Sequence, residues 1–307
     1  MTTFLPTKTV NNTLLAAGLI FGYATLIGFT DNFVQVIAAE AGLWQFFATR
    51  TVMGLALLAA VSALFGWRLR PVNPGAVMVR SALHGAAMIL YFGCLAFLPV
   101  ATVAAGVFTA PIFTLLISRF VFGVPFGPFR AVAVVVGFAG ALMVLGPGQG
   151  AEIGPLTVIP IAAGALYALG NIATRQWCAD ESAQTLLMGF FGMLGVMGVI
   201  GMAVLAIWPQ QVVPGADGFV MRGFVWPSVT FLLLTFLQAA GSLLGVGMMI
   251  KAYLVAEASR VAVFEYVILP SSAFWAFVLW GDLLAPSAVI GILMIFVAGL
   301  IIALRGR

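Results

Sequence analysis

EASRVAVFEYVILPSSAFWAFVLWGDLL (257–284), followed by GILMIFVAGLIIAL (291–304), restates a pattern already present in LPVATVAAGVFTAPIFTLLISRFVFG (98–123) and VVVGFAGALMVLG (134–146). A constant offset of 159 superimposes Pro111 on Pro270, Ala139 on Ala298, Gly140 on Gly299 and Leu145 on Leu304. In each copy an apolar segment with a central proline precedes an apolar segment with glycine. The end of one half of the chain rebuilds the end of the other.

Composition identifies the solvent. The chain is 63% hydrophobic and 7% charged, against about 25% charged in a soluble domain, and its mean hydropathy is +1.18. About ten apolar stretches are long enough, at about 1.5 Å per residue, to cross a hydrocarbon core of about 30 Å. The alternating decads of an outer-membrane barrel are absent. The expected fold is an all-α membrane protein of ten transmembrane helices, over 12–38, 42–66, 75–96, 101–121, 130–146, 155–176, 184–208, 226–251, 258–280 and 285–304. Residues 1–150 hold the first five spans and 151–307 the second five. An odd number of spans reverses the second copy, so the halves are expected to form an inverted repeat, the arrangement by which many secondary transporters alternate access. The longest connection, PQQVVPGADGFVMRGFV (209–225), is too short to carry chemistry outside the bilayer.

Basic residues orient the chain. One side collects Lys8, Arg68, Arg70, Arg80, Arg119, Arg130, Arg175, Lys251, Arg260, Arg305 and Arg307; the other collects Arg222 and, deeper, Arg50. Both termini are expected in the cytoplasm of a cell with a bacterial-style inner membrane. The net charge of +4 reflects this bias and points to no nucleic acid. Ala39, Glu40 and Ala41 spell a small-x-small cleavage pattern, but the preceding run is too long for a signal peptide. The repeat also needs that run, since Ala16-Ala17-Gly18 matches Ala162-Ala163-Gly164. Cys94 and Cys178 fall on different elements, which argues against a disulfide, and neither has metal-ligand spacing. No Gly-x-x-x-x-Gly-Lys-Ser/Thr occurs. No cofactor, metal or catalytic residue is expected.

The prolines have a mechanical meaning. Pro111 and Pro270 lie about 10 and about 12 residues into their spans, near the midplane at about 1.5 Å per residue, and enter from opposite faces. Each removes a hydrogen bond from the carbonyl four residues back, Val107 or Tyr266. In a bilayer a freed carbonyl is tolerated where a neighbour or a wet cavity satisfies it.

Intramembrane polar residues mark the candidate site, because each is costly unless paired or facing water. Asp31 and Arg50 flank the turn at Glu40 at one depth, and form either a salt bridge fixing the hairpin or a gate or substrate contact. Glu265 sits about 10 Å deep. It either pairs with Arg80 or forms a proton-coupling set with His84, which shares a helical face with Arg80. The cavity wall is expected to include Tyr23, Thr25, Tyr91, Phe108, Tyr167, Asn171, Gln238, Tyr266 and Trp275. Gly241, Gly245 and Gly247 allow close helix packing. Trp44, Trp67, Trp208, Trp226 and Trp280 read as interfacial anchors.

Two five-span halves, each ending in a Pro-centred span, a short turn and a Gly-bearing span, resemble the EamA-type branch of the drug/metabolite transporter superfamily. Its Gly-Glu pair after the proline span survives as Gly281-Asp282, whereas Gly123 is followed by Val124. Phe264-Glu265-Tyr266 resembles its acidic position before the proline, where the first half has Gly106. The resemblance implies transport of small metabolites without ATP hydrolysis. An amino acid, amphipathic and zwitterionic, is the expected substrate of an exporter acting as a monomer or weak homodimer. A multidrug or nucleotide-sugar carrier is the alternative. An intramembrane lipid enzyme lacks a nucleophile with a base, and a channel is separated by the absence of trans-stimulated flux.

Overall fold

The computed structural model describes residues 12–94, 100–145, 155–281, 283 and 285–305. Among the described residues every regular element is helical, and ten helices are long and apolar enough to cross a membrane. They are α1 (Thr13–Glu40), α2 (Leu43–Phe65), α3 (Pro74–Cys94), α4 (Val103–Phe120), α5 (Pro128–Leu145), α6 (Val158–Gln176), α7 (Ala183–Ile207), α8 (Val229–Val255), α9 (Ala258–Trp280) and α10 (Pro286–Leu304). The boundary at 150/151 and Asp282 lie outside the described residues.

Helix α8 departs most from the expected 226–251. Ser228, just after Pro227, caps it by accepting the N–H of Phe231 at 3.0 Å. At its other end Lys251 is exposed and the helix runs on for another turn to Val255. Cys94 and Cys178 are free and buried. Burial pushes the Cys178 thiol up to about 11, with Arg80 partly opposing the shift.

Among the described residues three helices are interrupted. Helix α1 breaks at Asn32–Phe33, α4 at Phe108–Thr109, and α9 passes through a 3₁₀ turn at Glu265–Val267. In α4, Pro111 offers no N–H to Val107, and the preceding turn tightens. The Thr109 N–H reaches only to the Gly106 carbonyl (3.2 Å) and the Ile112 N–H only to Thr109 (2.9 Å). The orphaned Phe108 carbonyl accepts the hydroxyl of Tyr266 at 3.2 Å, so the two proline-bearing helices meet at their breaks.

The most extensive helix contacts all cross between halves: α5 with α10, α1 with α8, α2 with α7, and α3 with α6. Helix α1 also packs on α9 as α6 packs on α4, and α2 on α8 as α7 on α3. Exchanging each helix for its counterpart in the other half leaves this pairing unchanged. Close approach needs small residues, because hydrocarbon gives helices no hydrophobic reason to associate. A Cβ on Gly140 would lie 2.7 Å from the Gly291 carbonyl oxygen, and one on Gly291 would strike the Gly140 carbonyl. Gly140, the repeat equivalent of Gly299, thus packs on Gly291 instead. Gly241 and Gly245 admit Thr30 and Ile27 of α1.

The two ends of the bundle are held differently. At the end carrying the chain termini, Glu257 pairs with Arg130 (2.7 Å) and Arg260 (3.0 Å), and Arg175 donates to the Leu254 carbonyl. At the distal end the α7–α8 loop clamps the tip of the α1–α2 hairpin. Arg222 donates to the Ala38 and Gly215 carbonyls, both at 2.5 Å, and Trp44 donates to Val220 (2.9 Å). Gln45 bonds Val225 in both directions (2.7 and 2.9 Å), and Ser228 donates to Glu40 (2.6 Å).

Candidate functional site

A cavity of about 370 Å³ lies between the halves, walled by α1, α2, α3, α4, α6, α7, α8 and α9. Its middle is aromatic and soft: Tyr23, Tyr91, Phe92, Phe108, Phe190, Met88 and Met249. Its polar groups fall into two sets, one toward each end of the bundle.

The set nearer the termini centres on Glu265, placed on the wall by the 3₁₀ turn of α9. Its Oε2 accepts the Tyr167 hydroxyl (2.9 Å); its Oε1 accepts the Tyr253 hydroxyl and Nδ2 of Asn171 (3.3 Å). Asn171 also faces His84 Nε2 across 3.0 Å, while His84 Nδ1 faces the Arg80 carbonyl across 3.1 Å. Gly170 makes room for this ring, since a Cβ there would collide with it. Arg80 does not reach Glu265. Its Nε donates to Thr174 Oγ1 (3.0 Å) and its Nη1 to the Leu186 carbonyl (3.3 Å). Arg80, His84 and Asn171 are each 1% exposed, so the polar groups at this end are buried.

The distal set is a row. Asp31 Oδ1 accepts from Gln238 Nε2 (2.9 Å), Gln238 Oε1 accepts from Ser242 Oγ (3.2 Å), and Ser242 Oγ accepts from Arg50 Nη2. The Arg50 guanidinium packs on the rings of Phe46 (5.5 Å) and Phe191 (5.7 Å). Asp31 is exposed, into this end of the cavity. Neither expected ion pair forms: Gln238 and Ser242 stand between Asp31 and Arg50, and neutral donors surround Glu265 where Arg80 was one expected partner.

The structure therefore brings Tyr23, His84, Tyr91, Phe108, Tyr167, Asp31, Arg50, Arg80, Glu265 and Pro111 to one cavity. Asn171 and Gln238 lie behind it, bonded to its carboxylates, and Tyr266 is buried behind Phe108. Thr25, Trp275 and Pro270 are elsewhere. They line a separate, apolar groove of about 480 Å³ with Phe21, Phe274, Phe277 and Phe296. Helical period explains this: Glu265, Leu269 and Ser272 share one face of α9, which leaves Pro270, Phe274 and Phe277 on the other. Trp275 Nε1 donates to the Thr25 carbonyl at 3.1 Å, tying α9 to α1.

Sequence reasoning missed Tyr253 and Ser242. Ending the eighth span at 251 put Tyr253 outside the membrane, although it follows Gly245 and Met249 at helical spacing. Ser242 carried a usable signal, one turn after Gln238 on the same face.

Residues 14–146 match the EamA-like transporter family. The match covers the first five spans of the chain. Across most of its length it is similar to the pseudopaline exporter CntI of Pseudomonas aeruginosa, at 23% identity over 93% of this chain and 95% of that protein. A riboflavin transporter of Rhizobium johnstonii is 24% identical over 94% of this chain and 89% of its own. A solved structure described only as a crystal structure of a protein superposes with a TM-score of 0.76 over 95% of this chain and 98% of that one; at 18% identity it speaks for the fold alone.

Proposed function

We propose that the chain is an EamA-like transporter that exports small amphipathic metabolites, amino acids foremost, by alternating access through the central cavity. The observation that carries the reading is a single cavity between the two halves that offers a guanidinium, carboxylates and an aromatic wall within one membrane-embedded space. A zwitterion finds partners of both signs there, and its side chain finds Tyr91, Phe92 and Phe108. Resemblance to a protein named an exporter favours the outward direction.

Alternating access by an inverted repeat is supported by the half-exchange pairing of the helices and by two helix breaks that meet through Tyr266 and Phe108. The polar groups toward the termini, Arg80, His84 and Asn171, are buried while Asp31 at the distal end is exposed, which favours a state open on the distal side. On the positive-inside reading of the basic residues the termini are cytoplasmic, and a state open at the distal end then faces outward. No step in this cycle needs chemistry on the substrate or a second copy of the chain.

Counterflow in proteoliposomes tests the reading. Labelled amino acid is expected to enter vesicles faster when unlabelled amino acid is loaded inside. Flux without such trans-stimulation would mean a channel. The relative named a riboflavin transporter, together with the aromatic wall, favours a second reading, a flat heteroaromatic substrate; trans-stimulated riboflavin flux with no amino-acid flux would select it.

A further inference from the structure

The distal row has bonding capacity that the protein leaves unused. Arg50 makes one hydrogen bond, from Nη2 to Ser242, and its Nε is buried without a partner. An unpaired buried donor is costly, more so when it belongs to an ion. Asp31 uses one oxygen, on Gln238, and its other oxygen receives no protein donor although the residue lines the cavity. The two charges are kept from each other by Gln238 and Ser242, one turn apart on α8, a rise of about 6 Å.

We infer that Arg50 and Asp31 form a receptor for the head group of an α-amino acid, with the carboxylate on the free edge of the guanidinium and the ammonium on the free oxygen of Asp31. This rests on the amino-acid reading above and adds the residues that select the zwitterion. Phe46 and Phe191 hold the guanidinium plane, leaving its N–H edges for a planar, two-oxygen acceptor. Gln238 and Ser242 act as a spacer: a direct Asp31–Arg50 contact would cancel both charges, and the bridging pair prevents it. One cation and one anion at this end favour a ligand with one charge of each sign. An amine alone would leave Arg50 unanswered, and an acid alone would leave Asp31 unanswered. Beyond the head group, Tyr91 and Phe92 offer apolar surface to a side chain.

Binding of L-phenylalanine, 2-phenylethylamine and 3-phenylpropanoate to the purified full chain, by calorimetry, tests this. The wild type is expected to prefer phenylalanine to either analogue by about 10- to 100-fold, the size of a charge-assisted hydrogen bond. Arg50→Gln is expected to lose that factor for phenylalanine and phenylpropanoate and leave phenylethylamine unchanged. Asp31→Asn is expected to lose it for phenylalanine and phenylethylamine and leave phenylpropanoate unchanged. Arg50→Lys keeps the charge without the fork and is expected to fall between. Because each variant still binds one analogue normally, a folding defect cannot imitate the pattern. Equal wild-type affinity for all three compounds, or a variant that weakens all three alike, would overturn the receptor and leave the amino-acid reading standing. Failure of the wild type to bind any of them, with no amino-acid counterflow, would overturn both.

Discussion

Glu265 is a carboxylate held inside a membrane protein by neutral groups: two tyrosine hydroxyls and one amide. Hydrogen bonds to an ionised group contribute about 1.5–3 kcal/mol, and a group left short of donors costs a comparable amount. Tyr253→Phe is therefore expected to destabilise the purified protein by about 1.5–3 kcal/mol, seen as a lower thermal midpoint. The loss should shrink in a Glu265→Gln background, because the hydroxyl then no longer serves an ion; a coupling of about 0.5–3 kcal/mol is the range for residues in one network. Full additivity of the two changes would show that Tyr253 and Glu265 do not act together. At this scale the sequence indicated Glu265, His84 and Asn171 by their polarity alone. It did not indicate that Asn171 joins the other two, because that bond spans α3, α6 and α9, which are far apart in the chain.

Elements meet where glycine removes the side chain. The crossing of α5 on α10 brings the Gly140 and Gly291 backbones together, whereas Gly192 in α7 has nothing within 4 Å of where a Cβ would sit. Gly291→Ala is expected to destabilise by about 1–3 kcal/mol through overpacking against a carbonyl that cannot move aside. Gly192→Ala should be neutral or stabilising by up to about 1 kcal/mol, since alanine favours a helix interior. Thermal unfolding in one detergent compares them, and equal effects would refute the backbone contact. The helix breaks of α4 and α9 were legible as prolines; the break of α1 at Asn32–Phe33 was not, since no proline or glycine occupies it. Asn32 makes that break stable by donating to the Gly28 carbonyl (2.6 Å) and to Ser272 of α9 (3.3 Å), and the second bond exists only in the folded bundle.

For the whole molecule, the charge asymmetry makes a prediction about sidedness. Gln211, exposed in the distal α7–α8 loop, is expected, as Gln211→Cys, to react with a membrane-impermeant maleimide added to intact cells, while a fluorescent protein fused after Arg307 should fold and fluoresce inside. Labelling only after lysis would invert the orientation and turn the open end of the cavity inward. By itself the sequence determined the solvent, the number of spans and the likeness between the ends of the two halves. These follow from composition, from 1.5 Å of rise per residue and from matching one half to the other. Tertiary structure alone decided which helix of one half packs on which of the other, and so which polar residues share a cavity. Pro111 and Pro270 show the difference: equivalent in the repeat, one lines the central cavity and the other the groove outside it. A one-dimensional period gives the depth of a side chain and the face of its own helix, but the direction that face points is set by the neighbours it packs against, and here those come from the opposite half of the chain.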